Sequence, residues 1–308
     1  MAESPELFDL GDVTLQSGAR LEGAKLAYVT RGTLSPSGDN AVLFPTYYTG
    51  THRENLAMIG AGRALDPARH FIVIVNLLGN GESSSPSNNP NFPAPSLFDN
   101  VVLQWRLLEH LRVRRLALAF GWSMGAQQAY HHAALFPERV AALLAVCGSA
   151  RTSPHNWVFL EGVKAALEAD ANAAAPSRGL AAFGRVYAGW AYSQAFFRER
   201  LYERLGYASP AALLDAWARE HQLYDARDLL CVLGSWQRAD ISDNPIFKGD
   251  FAAALGAIEA RAIIMPCSTD LYFPVEDSRL ETVHLRRGEL RVLESKFGHV
   301  AGGPNRIA

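Results

Sequence analysis

The feature that most limits the folds open to this chain is a rhythm of short, nearly unbroken apolar runs, each followed by an amphipathic stretch. In order they read "NAVLFPT" then "ENLAMIGAGRAL", "HFIVIVNLLG" then "FDNVVLQWRLLEHL", "RLALAFGWS" then "GAQQAYHHAALF", and finally "VAALLAVCGS", which ends near Ala150. A run without polar alternation is a strand buried on both faces, and such strands belong to a parallel sheet covered by helices on each side. The helical stretches between them supply right-handed crossovers. In the second of these, Val101, Trp105, Leu108 and Leu111 recur at helical spacing and predict a buried stripe. Ahead of the runs, "DVTLQSG" and "AKLAYVTRG" are β-branched-rich and close on glycine-containing turns, which predicts an antiparallel edge.

From about Arg151 to Lys248 the strand-like text stops and helical, aromatic text replaces it: "NWVFLEGVKAAL", "FGRVYAGWAYSQAFFRERLYERL", "LLDAWAREHQL", "LLCVLGSWQRA". Strands return in "ARAIIMPCSTD" and "GELRVLESKFGH". The expected organisation is one α/β core built from residues 1–150 and 249–308, interrupted by an α-helical cap over residues 151–248. An insertion at that point covers the C-terminal strand ends, where open parallel sheets bind ligands.

Composition narrows the function classes. An apolar content of 49% in 308 residues suffices for one large core, and a formal net charge of -2 points neither to nucleic acid nor to an anionic membrane surface. No apolar run reaches the roughly 20 residues of a membrane helix, and "MAESPELFDLGD" lacks a basic segment followed by an apolar one. A soluble, cytoplasmic protein acting on small molecules is the expectation, with a homodimer open. Three cysteines, Cys147, Cys231 and Cys267, are too scattered for a disulfide framework or a metal motif and read as reduced structural thiols. "GNGESS" has Ser84 where a dinucleotide fingerprint needs its third glycine, and neither a phosphate loop nor H-E-x-x-H occurs. No cofactor and no metal are expected.

The chemistry is carried by Gly121-Trp122-Ser123-Met124-Gly125, a G-x-S-x-G sequence between an apolar run and a helical pattern. A serine on a sharp strand-to-helix turn sits in sparsely populated backbone space, and glycines two residues on either side remove the collisions. Strain of about 1–3 kcal/mol persists at such a site only where something over-determines it. The return is an accessible hydroxyl at a helix N-terminus, where developing negative charge is favoured. A serine nucleophile needs a base, and the base needs an acid to fix its tautomer. On this motif the chain order is Ser, then Asp or Glu, then His. Of nine histidines, His299 in "KFGHVAGG" follows the last strand run, and Asp270 in "MPCSTDLYFP" follows the one before it. His131 and His132 lie along the flank of the helix that leaves Ser123, and His155 and His221 belong to the insertion. The oxyanion hole is expected from the Met124 amide and from the loop "FPTYYTGTHRE", where Tyr48 or Tyr47 supplies the second amide and Gly50 lets the chain turn closely.

Together "FPTYYTG", "NLLGNGESSSP", "GWSMGAQQA", "GSWQRADIS", "MPCSTDLYFPVED" and "GHVAGG" make the chain similar to the homoserine O-acetyltransferase branch of the α/β-hydrolase superfamily, over nearly its whole length. The resemblance implies a twisted, mostly parallel sheet of about eight strands, Ser123, Asp270 and His299 as nucleophile, acid and base, and Tyr48 and Met124 as oxyanion donors. It also implies acetyl-CoA as the acyl donor in the enzymes that acetylate homoserine. Three departures count against homoserine here. Trp122 and Ala126 replace elbow glycines, Val300 stands where an aspartate follows the catalytic histidine, and Leu223 stands at the arginine of R-F-D-A-N. A zwitterionic acceptor would lose both charged contacts, at a cost of several kcal/mol. The aromatic residues Trp157, Tyr187, Trp190, Tyr192, Phe196 and Trp236 suggest a less polar pocket, although most are expected in the insertion's own core. The reading is a serine acyl hydrolase for esters or thioesters, with an O-acyltransferase drawing on acyl-CoA as the alternative. A non-catalytic binding or scaffold protein on the same fold is a third. Only nine residues follow His299 in a chain ending at Ala308, fewer than a closing helix needs, so a truncated or thinly covered edge is expected.

Overall fold

The computed structural model describes residues 4–170, 172 and 175–304. The last four of the nine residues after His299 lie outside them. The strands are β1 Glu6–Thr14, β2 Arg20–Arg31, β3 Ala41–Leu43, β4 Phe71–Val75, β5 Leu116–Trp122, β6 Ala142–Val146, β7 Arg261–Met265 and β8 Gly288–Leu290. They form one eight-stranded sheet in the order β1-β2-β4-β3-β5-β6-β7-β8. The β1–β2 and β2–β4 pairs are antiparallel and every later pair is parallel. Continuous apolar runs therefore lie where burial on both faces demands them: every residue of β4 is buried, as are all three of β3.

Helices α1 His52–Leu56, α2 Leu97–His110, α3 Met124–Leu135, α9 Phe251–Gly256 and α10 Val275–Thr282 connect the strands. On α2, Val101, Trp105 and Leu108 are buried as expected, and Leu111, the C-cap residue after the helix ends at His110, is half-buried against the same core. A Ser96/Asp99 capping box fixes the start of that helix.

Three local expectations are corrected. "ENLAMIGAGRAL" forms only the end of a five-residue helix capped by Thr51 and Glu54, because Gly60 and Gly62 follow within two turns and Gly62 takes φ +74°. The first strand begins at Glu6, upstream of "DVTLQSG", and bends through register shifts around Gly11 at φ +66°. "GELRVLESKFGH" is a strand for three residues only. Beyond Leu290 the edge retains a single bridge between Cys267 and Leu293, and the chain leaves the sheet toward His299.

Between β6 and β7 come α4 Pro154–Glu168, α5 Ser177–Ala191, α6 Gln194–Arg198, α7 Pro210–His221 and α8 Ala226–Gln237. Their apolar faces share a second core with Tyr48, Leu77, Met124, Tyr272 and Phe273. Of the aromatic side chains singled out in this segment, Tyr187, Tyr192, Phe196 and Trp236 are buried, Trp190 packs against their cluster, and Trp157 is exposed. The segment is tied to the loops after β3, β7 and β8. The Tyr48 hydroxyl donates to Leu229 O at 3.2 Å, the Tyr272 hydroxyl to Tyr187 O at 2.7 Å, and the Ser193 hydroxyl to Lys296 O at 2.5 Å. No helix among the described residues is long and apolar enough to cross a membrane.

Candidate active site

Ser123 follows the last residue of β5 and is the N-cap residue of α3, at φ 58° and ψ −129°. Its amide donates to Val146 O at 2.9 Å, while its carbonyl accepts from Ala126 N at 2.9 Å to open the helix. An L-residue adopts that backbone conformation only under strain, and the neighbouring glycines show why the chain tolerates it. A Cβ on Gly121 would lie 2.1 Å from the Gly125 carbonyl, and one on Gly125 would lie 2.9 Å from Pro45 O. Gly148 adds a third clearance that sequence reasoning missed: a Cβ there would meet Ala126 Cβ at 2.5 Å and Ser123 O at 2.6 Å. Ala126, one of the departures at the elbow, fits because residue 148 has no side chain.

The three residues predicted from chain order converge. The Ser123 hydroxyl lies 2.9 Å from His299 Nε2, and His299 Nδ1 lies 2.7 Å from Asp270 Oδ2. The second carboxylate oxygen, Oδ1, accepts from the Tyr272 amide at 2.8 Å and the Phe273 amide at 3.2 Å. All three side chains are buried. A carboxylate fixed by two backbone donors holds the imidazole in the tautomer whose Nε2 can accept a proton.

Aromatic rings enclose the imidazole. Trp122 stacks on it at 4.7 Å and 30°, Tyr272 meets it edge-on at 4.7 Å, and Phe273 lies 5.6 Å away. The Trp122 indole N–H also donates to the His299 carbonyl at 3.3 Å, so the tryptophan at the elbow braces the loop that carries the histidine. The other histidines considered lie outside this relay. His131 Nδ1 bonds the Gln127 carbonyl at 2.8 Å, and His132 Nε2 bonds Gln104 Oε1 at 2.7 Å. Burial, reinforced by His131, pushes His132 down to about 3, so it stays neutral. His155 is exposed, and His221 is buried within the helical segment.

The loop after β3 is pressed against the elbow by the Gly125–Pro45 approach. Tyr47 points its ring edge at Trp122, 4.5 Å between centroids, while Tyr48 turns its ring toward the helical segment. Gly50 is required because any Cβ there would lie 2.6 Å from the Tyr47 ring. A buried polar chain holds the loop from behind: Gln104 donates to Gln128 Oε1 at 2.8 Å, and Gln128 donates to Thr46 O at 2.8 Å. Asn55 adds bonds to the Phe44 and Pro45 carbonyls at 3.2 and 3.3 Å. The sequence offered only a cue to these residues, polar side chains inside otherwise apolar helical stretches. Met124 is the first residue of α3, where backbone amides lack intrahelical acceptors.

Above the relay stands an aromatic wall. Tyr48 lies 5.5 Å from Trp236 and 5.7 Å from Tyr187, while Tyr272 lies 4.8 Å from Phe159, 5.3 Å from Tyr187 and 5.8 Å from Trp236. Burial pushes the phenols of Tyr48, Tyr187 and Tyr272 upward, so they remain neutral. A cavity of about 290 Å³ opens beside Tyr48, rimmed by Glu82, Asp225, Asp228 and by Leu223, whose side chain is 85% exposed. Burial raises Asp228 from its ordinary range, against two hydrogen bonds from Ser87. Among the described residues Cys147, Asp270 and His299 offer three metal-type donor atoms within 4.8 Å. Asp270 and His299 are bonded to each other, and burial keeps the thiol protonated.

The model of the alpha/beta hydrolase fold family matches residues 48–171. An ethyl acetate hydrolase from Pseudomonas veronii is 35% identical over 312 residues, covering 96% of this chain and 89% of that protein. The chain belongs to the α/β-hydrolase family. The crystal structure of an acetylester hydrolase from Corynebacterium glutamicum superposes with a TM-score of 0.92 at 34% identity, over 96% of this chain and 90% of that one. A homoserine O-acetyltransferase from Trichormus variabilis is 29% identical over 93% of this chain and 86% of its own length. The chain is thus an enzyme of hydrolase or acyltransferase type, in a branch where esterases stand nearer than the homoserine acetyltransferases.

Proposed function

We propose that this α/β-hydrolase is a cofactor-independent serine esterase acting on small esters with short acyl groups. The observation that carries the reading is the continuous line Ser123–His299–Asp270, with contacts of 2.9 and 2.7 Å at the C-terminal rim of the sheet. His299 takes the Ser123 proton as the hydroxyl oxygen attacks the acyl carbonyl, and Asp270 stabilises the imidazolium that results. The Met124 and Tyr48 amides hold the oxyanion. Collapse of the tetrahedral species expels the alcohol, which takes the proton from His299 and leaves an acyl-serine. A water molecule, deprotonated by His299, then attacks the acyl carbon; the acyl–Ser123 bond breaks, His299 returns the proton to the Ser123 oxygen, and the acid is released.

Residues 151–248 serve as the cap in this reading, since their aromatic faces close over Tyr48 and Tyr272. Water as the acyl acceptor is favoured because Val300 and Leu223 stand where the resemblance puts an aspartate and an arginine for an amino-acid acceptor. Val300 packs against the apolar cluster beneath the helical segment, and Leu223 sits on a rim whose charged members are carboxylates. The nearer relatives bear the names ethyl acetate hydrolase and acetylester hydrolase, which supports a short acyl group. The composition and the lack of a membrane-length helix among the described residues support a soluble, cytoplasmic setting.

The test is acyl partitioning. The purified protein is incubated with p-nitrophenyl acetate, ethyl acetate or acetyl-CoA, with and without homoserine or a simple alcohol. Free acetate from the esters, undiminished by homoserine, is the expected result. O-acetylhomoserine formed from acetyl-CoA faster than acetate is released would make the protein a transferase instead.

A further inference from the structure

Cys147 follows the last residue of β6, next to Val146, whose carbonyl receives the Ser123 amide. It is fully buried, and its own amide donates to Met265 O at 3.0 Å across to β7. Its φ of 47° is the left-handed region, unusual for a residue that is neither glycine nor asparagine. That backbone turn delivers the sulfur to the relay: Cys147 Sγ, an Asp270 oxygen and a His299 nitrogen all lie within 4.8 Å of one another. The carboxylate of Asp270 on one side and the backbone of Cys267 on the other are the polar groups beside the thiol. The opposite wall is fitted to it, since a Cβ on Gly302 would lie 2.6 Å from the sulfur.

An ionised carboxylate offers about four acceptor positions. The Tyr272 and Phe273 amides take up Oδ1 and the imidazole takes Oδ2, which leaves room for one further donor. We propose that Cys147 is a positioning residue for the catalytic relay, its S–H donating to the Asp270 carboxylate and its sulfur accepting from Cys267, so that the acid is held both in place and in charge. The proposal rests on the triad reading given above. A donor spreads the carboxylate's negative charge. Without it the carboxylate pulls harder on the imidazole proton, and the base is lost to protonation at a higher pH.

The titratable groups facing the pair are Cys147, Cys267 from the end of β7, Tyr272 on the same loop and Tyr187 from α5. Burial pushes all four upward, so none of them changes charge across the neutral range. A sequence reading gives this cysteine no more than a structural role, because the partner lies 123 positions downstream at Asp270.

The experiment compares kcat and KM for p-nitrophenyl acetate from pH 5 to 9 in the wild type, Cys147→Ala and Cys147→Ser, with melting temperatures alongside. In the alanine variant kcat falls about three- to tenfold, the scale of one weak hydrogen bond to a charged group, with KM nearly unchanged. The acidic limb of its kcat/KM profile moves up by about half a unit. The serine variant, which keeps a donor, retains the wild-type limb or shifts it down. Should Cys147→Ala fail to fold, Cys147→Gly, which suits the backbone at φ 47° and also lacks a donor, is expected to raise the limb in the same way. If alanine and serine variants change alike, with melting temperature moved and the limb unmoved, Cys147 is packing only. Failure of the triad reading looks different: Ser123→Ala would then retain activity whatever residue 147 is.

Discussion

The strain at the elbow yields a comparison that separates backbone energetics from chemistry. Ser123→Ala and Ser123→Gly both remove the hydroxyl and its 2.9 Å contact with His299, so they share that loss. At an ordinary site glycine is the less stable of the two by about 0.5–1 kcal/mol, because its unfolded chain has more freedom to lose. At φ 58° and ψ −129° the order reverses, since an L-residue there stores about 1–3 kcal/mol that glycine does not. The glycine variant is therefore expected to be more stable than the alanine variant by roughly 0.5–2 kcal/mol. In a chain of 308 residues that is an increase in Tm of about 1–3 °C, given the large unfolding entropy. Urea denaturation followed by tryptophan fluorescence measures the difference directly, with both variants inactive. Alanine equal to or more stable than glycine would mean that the turn is relaxed and that the account of the flanking glycines is wrong.

Other substitutions test other parts of the site. Trp236→Ala opens the aromatic wall between Tyr48 and Tyr272, and it is expected to raise kcat/KM for p-nitrophenyl hexanoate relative to the acetate by at least about tenfold, in line with one to two methylenes' worth of apolar contact. An unchanged chain-length profile would place the acyl group elsewhere. Asp270→Asn keeps the shape but reverses the hydrogen-bond logic at His299 Nδ1, and kcat is expected to drop by about 10³–10⁴; a loss below tenfold would deny Asp270 its role. Glu281 is raised to about 8, chiefly by burial and against the pull of the Ala150 and Arg151 amides. Its folded form holds a proton that its unfolded form, at an ordinary 4.5, has released, so its contribution to stability is full below that value. The contribution is lost as pH rises toward 8, at up to about 1.4 kcal/mol per unit. Glu281→Gln should flatten stability between pH 5 and 8, and equal slopes in the two proteins would contradict the assignment.

What the sequence disclosed and what it withheld follow from the range of the interactions. Uninterrupted apolar runs such as "FIVIV" have one comfortable environment, and they specified the parallel sheet without knowledge of any partner. Ser123 was legible because its strain needs glycines at fixed near positions, while Asp270 and His299 were legible through chain order after strand runs. The length of α1 was not, because twelve residues of helical periodicity conceal two glycines that release the chain early. The last strand was over-extended for a related reason. Its edge residues pair on one side only, and the need to bring His299 over Ser123 takes the chain off the sheet after Leu293. Gly148, Gln128 and Cys147 are hidden because their partners Ala126, Thr46 and Asp270 come from other segments of the chain. No local pattern encodes such a contact.

The central claim is that Ser123, made nucleophilic by His299, carries the acyl group. Its most direct test is reaction with a fluorophosphonate or rapid acid quench during acetate ester turnover, followed by peptide mass spectrometry. One adduct is expected, on the tryptic peptide containing Ser123, and it should be absent in Ser123→Ala and strongly slowed in His299→Ala. An adduct on another residue, or ester turnover undiminished in Ser123→Ala, would contradict the account.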